Sequence, residues 1–266
     1  MRIAFWNTHK SKKINEIVSD IICENKIDIM VLAEYEDDSH QLLQSLCQKG
    51  IGAEQYMTFG CERIVMFGSI KRIIPASQNK YYSIQLIDKK YILCGMHLPS
   101  QVYANHQDRR NIVIDTILQD INELEDEVGC DHTIILGDLN ENPYESGCLA
   151  ADKFHGVPSG DDARKGMGNV MGKTFKMFYN PMWNLFGDFE YPPGTCYYNG
   201  SSPKNSFWNI YDQVMIRPRL RDQFVEKSLK ILTETKKDSL VDQYRHPRRD
   251  ISDHLPVVFE IKEGKL

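Results

Sequence analysis

A short apolar run, Thr133-Ile134-Ile135-Leu136, ends at Gly137 and is followed at once by Asp138-Leu139-Asn140. A run without polar alternation reads as a strand buried on both faces, which requires layers of structure on either side of it. Gly137 lets the chain turn. Alternate side chains of an extended chain share a face, so Asp138 and Asn140 are expected on one side with Leu139 on the other. A carboxylate and an amide at the end of a buried strand suit a hard cation, a water or a phosphoryl oxygen. The plain alternative is a strand ending in an ordinary turn, because Gly, Asp and Asn are common turn residues.

The rest of the chain bears on that choice. Its 266 residues, 41% hydrophobic and 26% charged, describe a soluble globular protein with a sizeable core. A formal net charge of −5 argues against a uniformly cationic surface for indiscriminate DNA binding, though it leaves room for a local basic groove. The seven cysteines are scattered, odd in number and never spaced as CxxC. That pattern predicts free thiols in a reducing compartment and no cysteine-rich zinc site. The chain opens directly on a strand-like Arg2-Ile3-Ala4-Phe5-Trp6 with no signal-peptide pattern, and no apolar run is long enough for a membrane span. A cytoplasmic protein without stable membrane insertion is expected.

Apolar periodicity predicts a helix over about Lys12 to Glu24, a buried strand from Ile27 to Ala33 that delivers Glu34, and a second helix carrying Leu42, Leu43 and Leu46 to a stop at Lys49-Gly50. Strands follow at Ile64 to Phe67, Tyr81 to Ile87 and Tyr91 to Met96, the last two joined by an Asp88-Lys89-Lys90 turn. A long helix is expected over roughly Gln107 to Val128, leading into the strand at Thr133. Residues 141 to about 194 read as irregular and aromatic-rich, too long for a passive loop. Strands resume around Thr195 to Tyr198, Trp208 to Ile216 and Pro256 to Ile261. With no repeat, linker or composition break, one domain over 1–266 is the expectation, with an insertion at about 141–194. That insertion reads either as extra core or as a lid over substrate.

Polar residues recur at the ends of the apolar strands: Asn7, Glu34, His97, Asp138 with Asn140, Asp212, and Asp253 with His254. Side chains gathered from several strand ends are how an α/β scaffold builds a site. Taken in order, Trp6-Asn7, Asp28 to Glu34, Gly137-Asp138-Leu139-Asn140 and Ser252-Asp253-His254-Leu255-Pro256-Val257 make the chain resemble the endonuclease/exonuclease/phosphatase superfamily, which includes DNase I. Glu62-Arg63, the strand closing at His97, and Tyr211-Asp212 before Val214-Met215-Ile216 are similar to the DNase I branch. Abasic-site enzymes typically carry Tyr where His97 falls. Inositol-polyphosphate 5-phosphatases show Trp-x-Asp-Arg where this chain has Asp212-Gln213.

The resemblance implies an α/β fold, a four-layer sandwich of two mixed β-sheets flanked by helices. It also implies metal-assisted, in-line attack of water on a phosphodiester of nucleic acid. Glu34 and Asn7 are then expected to hold Mg²⁺ (or Mn²⁺), with Asp253 as a further ligand. Asp138 would orient or deprotonate the attacking water, or ligate a second metal, and Asn140 and Asn7 would contact phosphoryl oxygen. His254, oriented by Asp212, would stabilise the transition state or move a proton. His97, paired with Glu62, would bind substrate or protonate the leaving oxygen. His9, His106, Arg109 and Arg110 are further phosphate candidates, for which a surface role is favoured. Two other functions compete: a phosphatase or phosphodiesterase acting by the same chemistry on a nucleotide, inositide or sphingomyelin-like phosphoester, and a catalytically inactive binding module.

Overall fold

The computed structural model describes residues 1–100, 106–201 and 205–262, with the side chain of His106 outside the described set. The elements run β1 (Arg2–Asn7), α1 (Asn15–Asn25), β2 (Ile29–Ala33), α2 (Ser39–Gln48), β3 (Glu54–Tyr56), β4 (Ile64–Gly68), β5 (Ile73–Asn79), β6 (Tyr82–Ile87), β7 (Tyr91–His97), α3 (His106–Val128) and β8 (Thr133–Asp138). There follow α4 (Ser146–Leu149), β9 (Gly156–Val157), α5 (Gly160–Ala163), β10 (Met167–Val170), β11 (Lys173–Lys176), β12 (Phe178–Tyr179), β13 (Cys196–Tyr197), β14 (Trp208–Asn209), β15 (Asp212–Ile216), β16 (Lys230–Ile231) and β17 (Val257–Glu260).

These strands form two main mixed sheets, of six strands in the order β16-β17-β1-β2-β4-β3 and of seven in the order β5-β6-β7-β8-β15-β12-β9. The period-2 alternation of the strands assigns their faces. Ile3, Phe5, Ile29, Val31 and Met66 of the first sheet pack against Leu93, Ile134, Leu136, Val214 and Ile216 of the second. The intervening residues Ala4, Trp6, Met30 and Leu32 face outward onto Ile14, Val18 and Ile21 of α1 and Leu42 and Leu46 of α2. On the far side, Ile92, Cys94, Met96 and Ile135 cover Ile114, Ile117 and Ile121 of α3. The result is the four-layer α/β/β/α sandwich, with α3 beneath one sheet and α1 and α2 beneath the other. Among the described residues, no helix is long and apolar enough to cross a membrane.

The hairpin turn between β6 and β7 is as expected, with Asp88 and Lys89 at φ 51° and 53°. Outside 141–194, three strands are absent from the periodicity reading: β3, β5 and β16. The β5 strand is a sheet edge carrying Pro75 and largely exposed residues, so it has neither an apolar run nor a clean alternation. The single strand expected over Trp208 to Ile216 is two: β14 pairs with β13 in a separate ribbon, and β15 pairs with β8 in the sheet. The stretch 141–194 is less irregular than expected. It supplies β12 and β9, the last two strands of the seven-stranded sheet, and the β10–β11 hairpin. Phe154, Phe178, Tyr179 and Met182 are buried there, whereas Phe186, Phe189 and Tyr191 are exposed. It is therefore core at its base and surface at its tip.

Candidate active site

The inward-facing parity that builds the core also places its polar successors. Asn7 continues the inward series Ile3-Phe5, Asp138 continues Ile134-Leu136, and Asp212 begins the series Val214-Ile216. Register then brings them side by side. Asp138 stands opposite His97 across the parallel β7–β8 pair and opposite Asp212 across the antiparallel β8–β15 pair. Asn7 stands opposite Ala33, so Glu34 leaves β2 beside it. The polar ends of both sheets thus meet on top of the inter-sheet core.

Gly137 makes this possible. A Cβ built on it would lie 1.9 Å from the carbonyl oxygen of Met96 in the neighbouring strand, and its φ is +156°. No other residue fits that approach without moving β7 away from β8.

Asp138 is buried and is the hub. Its Oδ2 accepts from Asn7 Nδ2 at 2.9 Å and lies 3.6 Å from His97 Nε2 and 4.0 Å from His254 Nε2. Its Oδ1 accepts from the Asn140 backbone N–H at 2.9 Å. Burial alone would raise its pKa, but His254, His97, Asn7 and the Asn140 N–H outweigh burial and hold it below the usual carboxylate range.

Asn140 departs from the expected alternation. The strand ends at Asp138 and Asn140 has a left-handed φ of 51°, so the two side chains are not successive members of one strand face. Its Nδ2 donates to the carbonyl of Leu98 at 3.0 Å, tying the loop after β8 to the loop after β7. The turn-like reading of this segment and the site reading are both realised, on different oxygens of Asp138.

His254 Nδ1 and Asp212 Oδ2 are 2.7 Å apart, both groups buried. Burial disfavours the imidazolium, yet Asp212 and Asp138 hold His254 well above its ordinary pKa. The segment is wired to β1: Trp6 Nε1 donates to the His254 carbonyl at 2.9 Å, and Ser252 Oγ donates to the Asn7 carbonyl at 2.7 Å.

His97 is also buried, and burial keeps its pKa below the ordinary value, with Arg63 pushing the same way against Asp138 and Glu34. Its Nε2 lies 3.8 Å from Glu34 Oε1. The expected Glu62 partner is not there. Glu62 is exposed and pairs with Lys80 at 3.1 Å. His97 Nδ1 is buried without a hydrogen-bond partner. Of the Glu62-Arg63 pair it is Arg63 whose charge is felt by His97, and its guanidinium lies over the Tyr81 ring at 4.9 Å.

Asp253 is half-buried, 3.1 Å from His9 Nδ1 and 3.9 Å from His254 Nε2. His9 thus reaches the rim of the site. Arg109 is exposed. Arg110 is not a surface residue: it is fully buried, 2.6 Å from Glu141 and donating to the Pro99 carbonyl. The carbonyl of Glu141 in turn accepts from Gln213 Nε2 at 2.6 Å, and Asn142 is bonded to Asn209 and Ile210. This buried network braces the loop that follows Asp138 and gives no local sequence signal, since its members lie on four separate segments.

The Mg²⁺ implied by the resemblance requires hard oxygen donors. Glu34 fits: among the described residues its carboxylate accepts no hydrogen bond, and its ion-pair contact is with His97 at 3.8 Å. Asn7 offers an amide oxygen on the adjacent strand end. Asp138, Asp212 and His254 also present potential ligand atoms within 4.8 Å of one another. There, however, Nδ1 of His254 is engaged by Asp212, and an imidazole held cationic is a poor metal ligand. The Glu34 side is the better match to a divalent cation.

No protein-family profile and no curated protein sequence matches the chain. Solved structures do. An AP endonuclease from Archaeoglobus fulgidus is similar at 12% identity and a TM-score of 0.56, covering 99% of this chain and 100% of that one. A 3'-5' exonuclease from Neisseria meningitidis is similar at 14% identity and a TM-score of 0.58, again over 99% and 100%. A Neisseria 3' phosphatase bound to a product DNA hairpin is similar at 12% identity and a TM-score of 0.56, with the same coverage. Two mixed sheets face to face, helices outside and end-to-end overlap show that this chain has the fold of these structures, the four-layer α/β sandwich.

Proposed function

We propose that this protein is a divalent-metal-dependent phosphodiesterase that hydrolyses nucleic acid. The observation that carries the reading is the convergence of two buried histidines, His97 and His254, and the Asn7 amide on one oxygen of Asp138, beside a Glu34 carboxylate that accepts no hydrogen bond among the described residues. Titratable groups pushed in opposite directions within one cluster mark assigned acid and base roles.

Glu34 and Asn7 would hold the cation, with Asp253 completing or organising its shell. When bound, the cation supplies charge neutralisation on a phosphoryl oxygen. Asp138, held below the usual carboxylate range, is a weaker base than an ordinary carboxylate. Its role is to orient water and the two imidazoles through Oδ2, more than to remove a proton. His254, cationic and fixed by Asp212, donates from Nε2 to the negative charge that grows on phosphorus-bound oxygen. His97, kept neutral by burial, offers a hydrogen bond from Nε2 to the substrate and is the weaker candidate for protonating the leaving oxygen. Asn140 acts by holding the Asp138 loop to Leu98, with phosphoryl contact as a second role.

Nucleic acid as substrate draws support from the names of the similar structures, an AP endonuclease and a 3'-5' exonuclease. A second reading, removal of a 3' phosphate from DNA, is favoured by the 3' phosphatase bound to a DNA hairpin. A panel of single- and double-stranded DNA, RNA, 3'-phosphorylated DNA, nucleotides, inositides and sphingomyelin, run with Mg²⁺, Mn²⁺ and EDTA, tests both. Internal or terminal cleavage of nucleic acid that EDTA abolishes is the expected result. Turnover confined to small or lipid phosphoesters rejects the proposal.

A further inference from the structure

An open cavity of about 600 Å³ lies next to the site, on the side of Asp253. Tyr197, His246, Arg248 and Arg249 line it, and Asp253 forms its border with His254. Tyr197 and His246 are stacked face to face, with centroids 3.6 Å apart and planes 10° from parallel. Phe207 lies nearly parallel to Tyr197 at 6.4 Å, and Tyr244 nearly parallel to His246 at 6.4 Å. The two outer rings, Phe207 and Tyr244, are exposed. The row is built rather than incidental: Asp242 Oδ1 accepts from the backbone N–H groups of Tyr244 and His246 at 2.8 and 2.9 Å, and Trp208 packs edge-on against Tyr197 and His246.

The charges beside it are divided. Arg248 is engaged by Asp250, with contacts of 2.6 and 3.2 Å. Asp253 faces His9. Arg249 is exposed and makes neither an ion pair nor a hydrogen bond among the described residues. A fixed row of aromatic faces with one uncommitted guanidinium offers what a nucleotide needs: a π surface for the base and a bidentate donor for its phosphate.

We propose that the mouth of this cavity is a subsite for one unpaired nucleotide flanking the scissile bond, its base stacked on the exposed Tyr244 ring that ends the Tyr197–His246 stack and its phosphate on Arg249. Bases within a duplex are already stacked on each other, so the subsite accepts a single strand, an overhang or a frayed end. The inference rests on the phosphodiesterase reading and narrows its substrate.

The test measures binding of a fluorescein-labelled single-stranded oligonucleotide, and of a blunt duplex of the same sequence, by anisotropy in EDTA. Cleavage of both is followed separately with Mg²⁺. Arg249→Gln and Tyr244→Ala alter exposed side chains, and thermal melting verifies their folding. Each variant is expected to weaken single-strand binding by about tenfold and to change duplex binding by less than about twofold. A wild-type protein that binds neither oligonucleotide, a variant that binds the single strand as tightly as wild type, or equal weakening on both substrates overturns the subsite. Selective single-strand binding by a wild-type protein that cleaves nothing would instead sustain the subsite and overturn the phosphodiesterase reading.

Discussion

Nδ2 of Asn7 donates to Oδ2 of Asp138 across 2.9 Å, and this one contact joins the end of the six-stranded sheet to the end of the seven-stranded sheet. Each residue is the inward-facing terminus of a core strand, so the packing that brings the two sheets together also closes the site. The cost of burying the Asp138 carboxylate is offset by that amide, the Asn140 N–H and two imidazoles.

Asp138→Asn should keep the fold and lower turnover of nucleic acid by roughly a hundred- to a thousandfold, the usual effect of losing one preorganised electrostatic group. Steady-state kinetics with a thermal melt of the same sample checks it. A variant that retains more than about a tenth of wild-type turnover would reject Asp138 as the hub.

Glu62 and Glu34 should separate cleanly. Glu62 is an exposed partner of Lys80, so Glu62→Ala should change stability by less than about 0.5 kcal/mol and leave activity within about twofold. Glu34→Gln should raise the Mg²⁺ concentration needed for half-maximal activity by about tenfold or more, because a neutral amide is a weaker ligand for a hard cation. A metal titration of each variant decides between them.

Gly137→Ala should destabilise the protein by roughly 3 kcal/mol, since the added methyl meets the Met96 carbonyl and a positive φ at once. Chemical denaturation measures this. A loss below about 1 kcal/mol would mean that β7 and β8 separate easily.

Arg110→Met should cost about 3–5 kcal/mol, because it leaves the Glu141 carboxylate buried without its partner. The double variant Arg110→Met with Glu141→Met should recover part of the loss, so a double-mutant cycle reads the coupling directly.

Glu125 provides a pH test away from the site. Burial would raise its pKa, but Arg217, Thr133 and Lys176 hold it below the ordinary value, with Arg217 Nε at 2.7 Å. A depressed carboxyl pKa contributes stability that is present above the unfolded value, about 4.3, and is lost as pH falls through the folded value. Glu125→Gln should therefore be less stable than wild type at pH 7, with the gap narrowing below about pH 4. A gap that stays constant from pH 7 to pH 3 would show that the charge of Glu125 is not what stabilises this cluster.

Much of this was legible in local pattern. The alternation in β1, β2, β7 and β8 and the 3.6-residue period of α1, α2 and α3 depend only on neighbours a few positions away, and they place Asn7, Glu34, His97 and Asp138 at strand ends. The order of the motifs was enough to suggest the fold and the Asp212–His254 pair, which is present at 2.7 Å. Edge strands such as β5 and β9 escaped because an edge needs no apolar run.

What only the tertiary structure decided are the contacts that depend on strand register and on how two sheets meet. The resemblance pairs Glu62 with His97, yet Glu62 faces solvent and Lys80. The carboxylates near His97 are Asp138, which it shares with His254, and Glu34. Arg110, polar and apparently superficial in sequence, is locked inside because Glu141, from another loop, neutralises it there. Sequence separation carries no distance information across a sheet or between sheets; backbone pairing and the shared core supply it.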